Sequence, residues 1–438
     1  MRMRSVSVAL LAVATLVLAV TPAGAGTAGT TSPVRPASAA PARVTPGGVP
    51  GSLDAGLAAN AVGRVGAVFD DVFNGDSCTT QPDNPSITSA CVAVGFFSGP
   101  GFVDGLLEFS FNGVWHGNTF GSLRTVTDPL EVSCVPQRSN IPVCVAVGEH
   151  YTNAAFPAQL VSTGGANGFS TVAFRNPRGA TWSVLDDVSC ASSSRCMLVG
   201  AAGTTRTTAH GLLYLSHATA YRWTGALRQL AVPAPAHARA SELAGVSCPT
   251  ATTCMAVGNY TSAAGRDLPY SALWTSGIWH VRATPTIPGK ADTVFQAVSC
   301  AAAASCVAVG DAVSPGFTAF AERYASGRWT VQPIAAEPES AFFSVSCPAI
   351  SRCVAAGEHG TGPRSLIEAW NGTRWAVQPV PAIAAPLTAN ALLHVSCVTP
   401  AICTAVGYRH NPATRFSYHT LALGWNGSKW TIQKTINQ

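Results

Sequence analysis

Ala297-Val-Ser-Cys300-Ala-Ala-Ala-Ala-Ser-Cys306-Val-Ala-Val-Gly310 recurs, with variations, seven times along the chain. The first cysteines of the copies are Cys78, Cys134, Cys190, Cys248, Cys300, Cys347 and Cys397; the second are Cys91, Cys144, Cys196, Cys254, Cys306, Cys353 and Cys403. Together they are all 14 cysteines of the 438 residues, so none is spare to act as a nucleophile. Successive first cysteines stand 56, 56, 58, 52, 47 and 50 residues apart. A Ser precedes each of them (Ser77, Ser133, Ser189, Ser247, Ser299, Ser346, Ser396), and a Gly closes each second stretch (Gly95, Gly148, Gly200, Gly258, Gly310, Gly357, Gly407).

Each copy reads as four short strands. Strand A ends in Val-Ser-Cys, and strand B is Cys-Val-Ala-Val-Gly or a relative. Strand C alternates apolar and polar residues, as in Leu366-Ile-Glu-Ala-Trp370, and strand D begins at a second Trp, as in Trp375-Ala-Val. The C–D turn, clearest in Trp370-Asn-Gly-Thr-Arg-Trp375 and Trp425-Asn-Gly-Ser-Lys-Trp430, carries the Asn-Gly pair that tolerates positive φ. Seven units of about 50 residues, each of four strands and without a helical period, predict an all-β fold. The fold is a seven-bladed β-propeller with four-stranded blades and an A–B hairpin disulfide in each. The repeated Ser reads as a small residue for close packing or for satisfying nearby backbone. The Gly reads as the mark of a bulge or a close backbone approach. Every blade is complete in sequence, which leaves the closure of the ring open.

The cysteines read as bridges within each hairpin, because facing ends of neighbouring antiparallel strands lie within disulfide range. Zinc is the weaker reading: four ligands must converge on one point, and the Cys-x5-Cys found in five copies is not its usual spacing. No metal and no cofactor is expected. A closed loop this short stabilises by roughly 2 kcal/mol per bridge in the chain-entropy account.

Bridges of this number imply an oxidising compartment, and the N-terminus agrees. Met1-Arg-Met-Arg is a positive n-region, Ser5 to Val20 is an apolar run too short to span a bilayer comfortably, and Ala23-Gly24-Ala25 suits cleavage. Residues 1–25 are therefore read as a signal peptide, 26–63 as a flexible Pro/Ala/Gly/Thr-rich linker and 64–438 as the propeller. The formal charge of +5 falls to +3 without Arg2 and Arg4, too little to argue for nucleic acid or an anionic membrane. The expectation is a secreted, extracellular monomer with no nucleic-acid partner and no stable membrane insertion.

The unit resembles the bacterial neuraminidase repeat, or Asp-box, propellers. Its pattern is most similar to propellers of the photosystem II stability and assembly factor type: Val-Ser-Cys, Cys-x-Ala-Val-Gly and Asn-Gly-x-x-Trp take the places of their strands and turn. The Asp-box itself, Ser-x-Asp-x-Gly-x-x-Trp, is absent, since no turn carries its Asp. Phe174-Arg-Asn-Pro177 is similar to the Phe-Arg-Ile-Pro element of sialidases, but it lies within the array and differs at its third residue. The resemblance implies the fold and transfers no catalytic residue.

In an A-B-C-D meander the A–B and C–D turns share one face of the ring, and the B–C and D–A loops share the other. The first face carries the repeated features and the second the residues that differ, which suits recognition. Candidate binding residues there are Glu149, His150, Tyr151, Tyr260, Asp311, Glu358, His359, Arg409 and His410, joined by D–A carboxylates such as Asp71, Asp128, Asp186, Asp187, Glu242 and Asp292. Aromatics beside hydrogen-bonding groups suit a glycan or a protein segment. The leading expectation is a non-enzymatic binding or scaffold propeller for an extracellular protein or glycan. The alternative is a secreted carbohydrate-active enzyme, a sialidase-like glycoside hydrolase or lyase, if two carboxylates converge. A cell-envelope assembly factor is a third possibility.

Overall fold

The seven copies fold as seven four-stranded antiparallel sheets, each with its strands in consecutive order. Blade five shows the pattern: strand A is Asp292–Ala302, B is Ser305–Val313, C is Phe317–Ala325 and D is Arg328–Gln332. The computed structural model describes residues 70–436, apart from residues 83, 85, 100–101, 120–125, 138–141, 152–156, 166–167, 173–175, 209–210, 314–315, 336–338 and 415–416. The expected signal peptide and linker lie outside the described residues. Among the described residues no helix is long and apolar enough to cross a membrane.

Alternation along each strand sends side chains to both faces of a blade, so every core is shared by neighbours. Ala308 and Phe320 of blade five pack with Met255 and Val257 of blade four. On its other face, Val309 and Ala321 pack with Phe342, Val345 and Leu366 of blade six. All seven expected disulfides are formed, with Cα atoms 3.9–4.0 Å apart.

The repeated Gly has a defined cause. Strand A carries a bulge in every blade, as between Phe295 and Ala297, and the Gly of strand B faces it. A Cβ on Gly310 would overlap the Val294 carbonyl oxygen, and the same holds at the other six copies. The turns divide into two kinds. Asn112-Gly113, Ser276-Gly277 and Ser326-Gly327 have positive φ at both residues, the two-residue hairpin form. At Asn371 and Asn426 only the following Gly has positive φ, and the Asn side chain instead accepts backbone N–H bonds, from Thr373 and Arg374 and from Ser428 and Lys429.

The repeated Ser does more than fill a narrow centre. Each hydroxyl accepts the backbone N–H of the next blade's first Cys, at 2.9–3.0 Å: Ser77 from Cys134, Ser133 from Cys190, Ser189 from Cys248, Ser247 from Cys300, Ser299 from Cys347 and Ser346 from Cys397. Ser396 accepts from Cys78 at 2.9 Å and completes the circle. Strand A has no further strand inside it, so these N–H groups would otherwise lack a partner. Ser299→Ala is expected to leave the Cys347 N–H unsatisfied and to lower unfolding free energy by about 1–3 kcal/mol, measured by denaturant unfolding.

The ring thus closes without strand exchange, because the seam between blades seven and one repeats the bonds of the other seams. A second repeated bond caps an N–H of strand C with a side chain near the start of the next blade's strand A. Ser241 caps Ala218, Asp292 caps Asp267, Ser340 caps Ala319, Asn390 caps Ser365, and Asp70 caps Tyr418 across the closing seam. The C-terminal tail supplies a third. In blade six the buried Glu368 accepts the N–H of Ala335, which lies in the connector from blade five, six residues past Trp329. In blade one, Glu108 accepts the N–H of Ile436, six residues past Trp430. The tail therefore follows the course of a connector, and Gln433 also accepts the indole N–H of Trp115 at 2.9 Å.

Candidate functional site

On the face of B–C and D–A loops a cleft of about 310 Å³ opens between blade six and the connector that leads to blade seven. His359 ends strand B (Arg352–His359) and Arg364 begins strand C (Arg364–Trp370). Strand D is short, Trp375–Val377, because Pro379 and Pro381 follow and have no N–H to extend the ladder. After the bond from Gln378 N–H to the Ile367 carbonyl, the connector leaves the sheet and walls the cleft. Leu366 and Ile367 are buried at its floor, and Val380 and Ile383 of the wall pack into the core between blades six and seven. Arg364 and Val377 stand exposed at its rim.

A polar row crosses the seam beside the cleft. Asn390 Oδ1 accepts from the backbone N–H of Ser365 at 2.9 Å and from its hydroxyl at 2.6 Å. Glu358 faces Ser365 in the register of blade six, and Arg409 faces Asn390 in that of blade seven. Glu358 Oε2 and Arg409 Nε are both shut from solvent, without a hydrogen-bond partner among the described residues. Burial raises the Glu358 pKa to about 7 and lowers that of Arg409. Glu358 and Arg409, expected from the sequence, thus meet at one seam, and His359 lines the cleft beside it.

His410 lies on the next seam, stacked on Tyr418 at 4.6 Å, with Tyr408 edge-on to the same ring at 5.2 Å. The other expected residues are spread round the ring. Tyr260 packs half-buried against the core of blades three and four. Asp311 is buried and accepts from the Gln296 amide at 2.9 Å; burial, partly offset by that bond, lifts its pKa to about 6. The backbone of His150 and Tyr151 belongs to strand B of blade two, Val143–Tyr151, but their side chains lie outside the described residues.

Glu149 is buried opposite Asp128, within an acidic group that spans blades two to four. Burial first, then the Glu149 charge, raise the Asp128 pKa well above the usual carboxylate range. Asp186 is raised by burial and then by Glu242, Glu149 and Asp187. One structural rule explains the group. The bulge residue of strand A reaches the next blade five positions before its repeated Ser. From blade one Asn74 donates to Asp128 at 2.8 Å; from blade three the corresponding residue is Asp186 and its neighbour is Glu242. A carboxyl in an amide's place must keep a proton to avoid like-charge repulsion.

The channel wall holds a cluster that the sequence reading missed. His394 of blade seven lies 2.9 Å through Nδ1 from Asp76 of blade one and 3.1 Å through Nε2 from Glu131 of blade two. Gly75 lets Glu131 pass: a Cβ there would lie 2.7 Å from its carboxylate. Burial alone pulls the His394 pKa down, but the Glu131 charge and then the bond and charge of Asp76, with Asp187 beyond, hold it up at about 9. A signal was present: the residue before the repeated Ser is Val in six copies and Asp76 in the first. Of the sialidase-like tetrapeptide, Phe174 and Arg175 lie outside the described residues, and Asn176 accepts from the Ser183 hydroxyl at 2.6 Å.

No family model and no curated protein matches the chain. Among solved structures it is similar to YCF48 bound to D1 peptide, with 12% identity, 78% of this chain and 89% of that chain covered and a TM-score of 0.44. It is similar to the Hadza microbial sialidase Hz136, with 9% identity, 72% and 73% coverage and a TM-score of 0.41. A puromycin-hydrolyzing peptidase of Mycobacterium tuberculosis gives 12% identity, 84% and 53% coverage and a TM-score of 0.49. These are likenesses of fold alone.

Proposed function

We propose that the chain is an exported, non-enzymatic binding propeller that holds an extracellular protein segment or glycan on its loop face, at the cleft of blades six and seven. The carrying observation is the coincidence there of an apolar floor and wall with the exposed guanidinium of Arg364 at the rim and the imidazole of His359 beside it. Some polar side chains elsewhere on this face pair with one another, as Asn74 does with Asp128 and Gln296 with Asp311. Binding sites combine apolar area with a few placed polar groups. The seven disulfides support export.

The second reading, a glycoside hydrolase, is favoured by one observation: Asp128, Glu149, Asp186 and Glu242 lie close enough to perturb one another, with Asp128 and Asp186 held toward the protonated form a general acid needs. A glycan array and a displayed peptide library on the purified protein separate the two. A ligand retained by the native chain and weakened about tenfold or more by Val377→Asp supports the cleft. Glycoside hydrolysis abolished by Glu149→Gln overturns the binding reading.

A further inference from the structure

The cleft has a definite chemical polarity. Arg364 and His359 are on its lining, together with the amide of Gln378 and the Ser365–Asn390 pair. Among the described residues, no carboxylate and no phenyl, phenol or indole ring lines it. Arg364 forms no ion pair among the described residues, and Asn390 and Ser365 are committed to each other. Its apolar part is aliphatic: Leu366, Ile367, Val377, Val380 and Ile383, with Pro379 and Pro381 as stiff walls. A neutral sugar is held by aromatic faces and acceptor carboxylates, which are missing. A cation would meet a guanidinium. An anion gains from the fork of donors on Arg364, and a planar carboxylate matches that fork best.

We propose that the cleft binds an organic carboxylate carried on an aliphatic body, the carboxylate on Arg364 with His359 beside it and the aliphatic part over Leu366, Ile367 and Ile383. This rests on the binding reading and narrows it to one ligand class. The neighbouring charged groups fit. Glu358 lies in the row beside the cleft with its Oε2 enclosed, while Arg409 across the seam adds positive potential. A volume of about 310 Å³ accommodates a short acid or the last one or two residues of a peptide chain.

The test titrates the purified protein with N-acetyl-Val-Leu, with its C-terminal amide, and with hexanoate, by calorimetry or saturation-transfer NMR. The free-carboxylate dipeptide is expected to bind at least tenfold more tightly than the amide. Arg364→Gln, at an exposed position that leaves the melting temperature unchanged, is expected to remove that advantage. Peptide above hexanoate identifies a chain terminus as the ligand, and the reverse a free acid; either order upholds the carboxylate class. Equal binding of acid and amide, acid binding indifferent to Arg364→Gln, or no binding by any probe overturns it. The broader reading is separable. A library ligand that needs Val377 but neither Arg364 nor a carboxylate keeps the loop-face site and removes only this inference; ligands indifferent to both residues remove the two together.

Discussion

His394→Ser is expected to lower unfolding free energy by about 3–5 kcal/mol, the usual result of deleting one partner of a buried ion pair. Asp76 is fully buried where the other six blades place a core Val, and without the imidazole it is a carboxylate among apolar side chains. Asp76→Val with His394→Ser should recover much of the loss, because it gives the closing seam the Ser–Val pair of the seam between blades six and seven, where Ser344 accepts the Val395 N–H. Denaturant unfolding of both single variants and the double variant measures the coupling, and additive losses would contradict it. The pH dependence has a definite sign. A histidine raised from 6.5 to about 9 gives stability that is complete below about 6.5 and disappears as pH rises through about 9. Asp76 and Glu131, both raised by burial, act in the same direction, since each favours its protonated form in the folded state. Stability should therefore fall between pH 6.5 and 9, and the double variant should show a flatter slope.

Glu322→Leu is expected to stabilise the protein by about 1–3 kcal/mol at neutral pH. Glu322 occupies in blade five the place of Glu368 in blade six and Glu108 in blade one, but both its carboxyl oxygens are buried without a partner among the described residues. The cause is in the connector. Six residues past Trp279 stands Pro285, which has no N–H to offer where Ala335 and Ile436 donate. In blade seven the same combination is harmless: Pro381 lies six residues past Trp375, and the corresponding strand residue is Leu423. Burial raises the Glu322 pKa from 4.5 to about 8. The unfolded chain ionises first, so the native residue costs stability increasingly from about pH 4.5 to 8. The gain from Leu should be small at pH 4 and full above pH 8. Pro285→Ala offers an independent check, since a restored donor should lower the Glu322 pKa. A Leu variant no more stable than the native chain at pH 8 would contradict this account.

How far the candidate site could be read depended on whether its residues belong to the repeat. Glu358, His359 and Arg409 were visible as departures at equivalent strand ends, where a constant framework gives way to variable side chains. Arg364 and the Pro379–Ile383 wall gave no such signal, because a cleft forms only where a connector folds back over a strand. Glu149 and Asp311 look like ordinary loop carboxylates in the sequence; the bulge of strand A brings Asn74 across a seam to Asp128, opposite Glu149, and Gln296 to Asp311 within one blade. The Asp76 exception was legible as an oddity, but its partners His394 and Glu131 are 318 and 55 residues away.

The sequence by itself determined the blade: four strands from alternation, the A–B clamp from paired cysteines, and the bulge from a Gly present in all seven copies. These are local, and a period of about 50 residues repeats the evidence seven times. The tertiary structure decided what joins one blade to the next. The Ser–Cys bonds, the strand-C caps, the tail on Glu108 and the His394 cluster all connect residues from different copies. Their partners are chosen by the curvature that brings blade seven against blade one, and the spacing along one repeat carries no record of it.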